Sequence, residues 1–439
     1  MEVAVSTAVR GAAVRGKRRR RGDATRLLTL CCTATPVLDV ITNVTIYLER
    51  QDFIVAVLKG LILLIVIGHL RRAFSVLTVF SFVSIFLLRE SLVGIGGVQI
   101  EWLPDLTVFL RILTFIAWLL LFHERRKDAA FLERVLRIFV VTAGLSAIAG
   151  FAGLALSIDF FKAYGEDRNG YKGIFSGEND TSIFYVVALV YGMTQVRRER
   201  YWFAALIASA MVLLGLGSKT ALLGVVLTPA LFVFFSPAKH FAALVRRALI
   251  YFFLPLGLIV LAIELDSILD AIGYESLTRV ISQSDLLSAA LSFRDLKAAS
   301  MIESIHSPID LLFGMHIDQP WGIGGIESSG QYMVEIDIFD YLFRVGIIGT
   351  LLTVMAVWTT SAASRWRTAT PEFKTFASVI LLTGLTAGHV LVSAMNAVWI
   401  AFFFVYYSLG YRRVALPRTK RRRRALSALS SSAMPVQHL

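Results

Sequence analysis

The sequence predicts an all-α fold, a polytopic transmembrane helix bundle of about twelve spans with a long external amphipathic-helix loop. Three observations predict it. The 439-residue chain is 56% hydrophobic, only 17% charged, and has a mean hydropathy of +0.69. A soluble domain is closer to half apolar and a quarter charged. The apolar residues come in runs of roughly 17–25, the length a helix needs to cross the hydrocarbon core. The connections between the runs alternate in charge, as the two sides of a membrane require. The residue alternation of a membrane β-barrel is absent.

The spans are expected near 27–47, 53–69, 73–97, 104–122, 134–157, 180–196, 201–217, 219–236, 247–265, 336–360, 374–392 and 394–411. One set of connections carries Arg71–Arg72, Arg125–Lys127, Arg197–Arg200, Lys239 with Arg246–Arg247, and Arg365–Lys374. The opposite set carries Glu49–Asp52, Glu101–Asp105, Asp159–Lys172 and the long stretch Asp266–Glu335. The positive-inside rule makes the first set cytoplasmic, together with both termini. The chain then divides into a basic tail (1–26), spans one to nine (27–265), an external cap (266–335), spans ten to twelve (336–411) and a second basic tail (412–439).

The net charge of +13 belongs to the tails, which hold sixteen of the 44 Lys and Arg residues and, as acids, only Glu2 and Asp23. Both tails are expected to be disordered anchors lying near anionic headgroups. No nucleic-acid partner is expected. The first apolar stretch reads as an uncleaved span, because no small-residue cleavage site precedes Asp39. Cys31 and Cys32 are adjacent and inside a span, which offers neither a disulfide framework nor metal-ligand spacing. Gly322–Gly325 lacks the Lys and the strand–helix setting of a phosphate-cradling loop. No cofactor and no metal are expected.

The 266–335 segment carries ten acids against Arg279, Arg294 and Lys297. Apolar residues recur at helical spacing over Leu286–Ile305, so it reads as amphipathic helices forming a cap, followed by a Gly-rich turn at Gly322–Gly330. Beneath this cap, span order puts Asp39, Lys59, Arg89, Glu90, Arg111, Asp337, Asp340 and Arg344 in one layer. A charge at membrane depth costs at least ~3 kcal/mol and marks function by default. Asp337, Asp340 and Arg344 share one helix face. The structural alternative pairs Asp340 with Arg344 and lets the other charges pair or snorkel.

Four segments carry a resemblance. They are Gly173-Ile-Phe-Ser-Gly-Glu-Asn-Asp180; Gly217-Ser-Lys-Thr-Ala221; Phe293-Arg-Asp295 with Pro308 and Leu311-Leu-Phe-Gly314; and Glu335-Ile-Asp-Ile-Phe-Asp-Tyr-Leu-Phe-Arg-Val-Gly-Ile-Ile-Gly349. Ala387-Gly-His389 is a weaker fifth. In their order around one long loop, the chain resembles the bacterial O-antigen and exopolysaccharide repeat-unit polymerases of the O-antigen ligase superfamily. Two positions depart from that pattern. Lys219 stands where Arg is usual and cannot make the same bidentate grip. Glu335 and Asp337 stand where the ligases place a His, which favours polymerase over ligase.

The resemblance implies a glycosyltransferase at the outer face of the bacterial plasma membrane. It would polymerise undecaprenyl-diphosphate-linked repeat units, as both donor and acceptor, with a chain-length regulator and a flippase as pathway partners. The departing diphosphate needs cations, and the acceptor hydroxyl needs a base. Arg294, Lys219, Arg89, Arg111 and Arg344 are the candidates for the diphosphate, Arg294 first. Glu335 and Asp337 are the candidate bases, with His316 and His389 in reserve. The alternatives are an O-antigen-type ligase, a lipid-linked oligosaccharide flippase, and a non-catalytic partner of an assembly complex. The absence of half-to-half repetition weighs against a transporter.

Overall fold

The computed structural model describes residues 2–48, 53–95, 102–162, 170–195, 209, 212, 216, 218–236, 294–303, 305, 307–315, 322–323, 326–327, 336–386 and 390–409. The helices are α1 (Glu2–Tyr47), α2 (Phe53–Gly68), α3 (Ala73–Ile95), α4 (Trp102–Arg125), α5 (Ala129–Leu156), α6 (Glu178–Gln195), α7 (Lys219–Phe235), α8 (Arg294–Glu303), α9 (Pro308–Phe313), α10 (Asp337–Thr360), α11 (Pro371–Thr386) and α12 (Ala394–Ser408). Short 3-10 turns occupy Asp159–Phe161 and Ala362–Thr368. Two antiparallel strands, β1 (Gly322–Ile323) and β2 (Ile326–Glu327), form a minimal ladder within the Gly-rich turn.

Among the described residues, five helical segments are long and apolar enough to cross a membrane: Asp23–Tyr47, Ala73–Leu92, Asp105–Arg125, Ala129–Leu156 and Asp337–Thr360. Phe53–Gly68, Leu223–Phe235 and Ala394–Ser408 are shorter apolar helices. Nearly all of the expected span 201–217, all of 247–265 and the C-terminal tail lie outside the described residues. The N-terminal tail departs from expectation. It is helical from Glu2 and continues without a break into the apolar part of α1. Its Ala and Arg residues are good helix formers, and a helix already nucleated by the span propagates into them cheaply.

The core sits where α4 and α12 cross. Every residue from Phe115 to Phe122 of α4 is buried, as is every residue from Met395 to Tyr407 of α12. A helix that is apolar all round belongs inside a bundle. Aromatic pairs such as Phe122–Phe402 (5.4 Å) and Phe115–Phe404 (6.4 Å) join the two. Around them α2, α3 and α5 present exposed apolar stripes, including Leu61, Phe80 and Ile148, which suits helices facing lipid.

A smaller apolar cluster docks the loop helices on α10. It contains Ala298 and Met301 of α8, Met315, Ile336 and Phe343. The long segment is therefore folded against the bundle where it is described.

Candidate functional site

Two groups of ionisable residues lie at one end of the bundle, where α1 and α3 finish and α4, α6, α7, α10 and α12 begin. The first group is built on α10. This helix breaks at Gly346, whose φ of 65° and ψ of −175° are not helical. Helix α9 lies in the break. A Cβ at Gly346 would stand 2.2 Å from the Leu312 carbonyl oxygen, and one at Gly314 would stand 2.6 Å from that of Arg344. Main chain thus meets main chain, and only glycine permits that distance and those positive φ values. The Met315 amide donates to the Phe343 carbonyl at 2.6 Å, closing the joint. Helix α9 is set locally by Ser307, which accepts from the Asp310 amide while the Asp310 carboxylate accepts from the Ser307 amide, both at 3.1 Å.

The break leaves carbonyl oxygens that need donors. Arg89 of α3 supplies them, donating to the Arg344 carbonyl at 2.9 Å and the Met315 carbonyl at 3.3 Å. Its charge is met by Glu90, through Nε at 2.9 Å and Nη2, and by Asp105 of α4 at 3.2 Å. The ring of Phe86 lies 5.2 Å beneath the guanidinium. Arg89 is 3% exposed, Glu90 0% and Asp105 2%. Arg344 is equally buried at 4%, yet its Nη1 and Nη2 make no hydrogen bond. Asp105 and Asp340 attract it, and Arg89 repels it. A buried guanidinium with idle donors can receive an anionic group.

The second group joins α1, α2, the 170–177 segment, α6, α7 and α12. The Asp39 carboxylate accepts from the amide and hydroxyl of Ser176, both at 3.1 Å, and lies 3.7 Å from the Lys59 ammonium. Lys59 also donates to Thr42 Oγ1 at 3.3 Å. Lys172 donates to the Ser176 carbonyl at 3.0 Å. Burial pushes its ammonium down from the ordinary lysine value, against the pull of Glu178 and Asp39. Asn396 opens α12 and donates to the Asp180 carbonyl at 3.0 Å. Ser182 bonds Ser218, the N-cap of α7, at 2.6 Å. The segment 173–180 is thereby fastened on every side.

The sequence candidates fare differently. Arg89 and Arg344 come together, but Arg89 is occupied in holding the α10 break. Asp337 is buried, and its two oxygens accept from the Val390 and Leu391 amides at 3.0 and 3.1 Å. Those bonds clamp the chain ahead of α12. Arg111 is exposed on α4, about a third of a turn round from the buried Asp105, and so faces away from the Arg89 group. Arg294 opens α8, half-buried. Lys219 is the first residue of α7, directly after its N-cap. Glu335, His316 and His389 lie outside the described residues, as does the Lys219 side chain.

Sequence reasoning missed Asp105, reading it as part of an external loop. Asp105 falls inside the expected span near 104–122, and Pro104, which favours the first turn of a helix, was the available signal to group it with that span rather than with the loop. It also missed Ser176, Ser218 and Asn396 as the polar contacts joining the resemblance segments. No protein family, curated protein or solved structure matches the chain.

Proposed function

We propose that this chain is a membrane glycosyltransferase that polymerises lipid-diphosphate-linked oligosaccharide repeat units at the outer face of a bacterial plasma membrane. In this reading the bundle has twelve spans with both basic tails in the cytoplasm, and the 266–335 segment forms a cap outside. The glycan leaves the diphosphate of one undecaprenyl-linked unit and joins a sugar hydroxyl of the next.

One observation carries the reading. Arg344 is buried with both terminal nitrogens unbonded, and its main chain abuts Gly314 at the end of helix α9. Charge develops on the departing diphosphate, and donors already in position there lower the barrier without reorganising. Glu90 and Asp105 contact Arg89 directly, so the Arg344 guanidinium is the cation offered to the leaving group, with Arg294 as its partner from the cap. Asp337 positions the α11–α12 connection, and Glu335, His316 and His389 remain the candidates for the base. Two of the resemblance segments, Leu311–Gly314 and Arg344–Gly346, interlock through main chain, which supports their acting as one unit.

A second reading, a flippase for the same lipid-linked glycan, draws on the break in α10, because interrupted helices carry the sites of many transporters. Glycolipid analysis of cells lacking the chain separates the two. Polymerisation predicts single repeat units on lipid, facing outward. Single units held on the cytoplasmic side would assign the flippase, and long polymer stranded on lipid would assign the ligase.

A further inference from the structure

The other end of the bundle gathers cations, and the last turn of α4 does the gathering. The Glu124 carboxylate accepts from the main-chain amides of Arg71, at 3.0 and 3.2 Å, and Arg72, at 3.0 Å. The α2–α3 turn is thereby fastened to α4, and the carboxylate is engaged by main-chain amides. His123 Nδ1 lies 2.8 Å from the carbonyl of Thr360, the last residue of α10. A carbonyl only accepts, so Nδ1 carries the hydrogen and Nε2 accepts from Arg126 Nη1 at 3.2 Å. The 3-10 turn that follows α10 carries Arg365 and is tied down by the Ala362 amide, which donates to Ser408 Oγ at 2.7 Å.

These bonds bring three distant connections, carrying Arg72, Arg126 and Arg365, together at the end of α4. Burial first, then repulsion from Arg72 and Arg365, pulls Arg126 down from the ordinary arginine value. Asp128, the next acid along the chain, caps α5 by accepting from the Phe131 amide at 3.2 Å. Trp366 follows Arg365 directly, is 38% exposed, and stands edge-on to Phe235 at 5.9 Å and near Phe373 at 6.2 Å. A partly exposed indole suits the boundary between hydrocarbon and headgroups.

We propose that Arg72, Arg126 and Arg365 form a binding site for the phosphate of an anionic phospholipid, seated beside Trp366 at the basic end of the bundle. The lipid clamps the α2–α3, α4–α5 and α10–α11 connections together by adding negative charge where three arginine-bearing connections meet a single carboxylate, Glu124, that is engaged by main-chain amides. The site is independent of the glycan chemistry at the opposite end.

The test counts lipids bound to the purified full-length protein by native mass spectrometry during titration with phosphatidylglycerol or phosphatidylcholine. The wild type is expected to prefer phosphatidylglycerol. The combined variant Arg72→Ala, Arg126→Ala, Arg365→Ala should lose that preference on the order of a hundredfold, about fivefold per guanidinium, while Arg367→Ala keeps it. Should the triple variant fail to fold, Arg365→Ala alone, at an exposed position, carries the test with a loss of about fivefold. Equal binding of the two lipids by the wild type, or an unchanged preference in the variants, overturns the proposal. Displacement of phosphatidylglycerol by millimolar inorganic phosphate at constant ionic strength also overturns it, because the site would then belong to a soluble phosphate compound.

Discussion

Two ionic groups stand at the same end of the bundle and are satisfied in different ways. Around Asp39 the hydrogen bonds run to main chain and hydroxyls: Ser176 gives an amide and a hydroxyl, Lys59 reaches Thr42, and Lys172 reaches a carbonyl. Around Arg89 buried ion pairs to Glu90 and Asp105 join its bonds to the Arg344 and Met315 carbonyls, and Arg344 beside them keeps two idle donors. Hydrogen bonds to main chain fix a segment in place. An incompletely satisfied buried cation costs stability, and a fold that tolerates it has a use for it. The comparison assigns a structural task to the Asp39 group and a binding task to Arg344.

The largest expected effect is on the ion pairs. Asp105→Ala leaves the Arg89 guanidinium buried with one carboxylate fewer and should destabilise the protein by about 3–5 kcal/mol, read by thermal unfolding in detergent. An unchanged melting temperature would mean that Glu90 alone neutralises Arg89. Next comes Gly346→Ala. The positive φ and the 2.2 Å approach of Leu312 O should cost about 3 kcal/mol between them, with α9 released before the bundle unfolds. Hydrogen exchange over 308–315 measures that order.

Arg344→Met separates binding from structure. Removing a buried charge whose terminal nitrogens bond nothing should leave stability within about 1 kcal/mol of wild type, or raise it. Polymer formation should fall at least about a hundredfold, the loss expected when a donor to developing charge is removed. Normal polymer in a folded Arg344→Met protein would remove Arg344 from the proposed site. Asn396→Ala should cost only about 1 kcal/mol, since it deletes a hydrogen bond from a group that has others.

The sequence exposed the helices because hydrophobic length is a local property. The runs at 73–97 and 134–157 sit on α3 and α5 without any knowledge of tertiary contacts. The layer of charges was also visible, since span order alone fixes depth. Partnership was not visible. Nothing local shows that Asp337 will hold the amides of Val390 and Leu391, 53 and 54 residues away. Nor does it show that Arg89 will serve carbonyls more than two hundred residues on. Arg111 was grouped with Arg89 by depth, whereas the facing of α4 separates the two. The helix period could have warned of this, because Arg111 does not share a face with Asp105.

The smallest effect tests the comparison most closely. Lys59 is 28% exposed and 3.7 Å from Asp39, so solvent and headgroups screen the pair, and Lys59→Met should cost under about 1 kcal/mol. Methionine keeps the apolar stem of the side chain in place, so packing is preserved and the measurement isolates the charge. Asp39 retains its two bonds from Ser176 and should still hold the 170–177 segment, giving unchanged proteolysis there. A loss comparable to that of Asp105→Ala would mean that the Asp39 carboxylate depends on Lys59 as Arg89 depends on Asp105. Both groups would then be dry ionic sites, and the structural task assigned to the Asp39 group would have no basis.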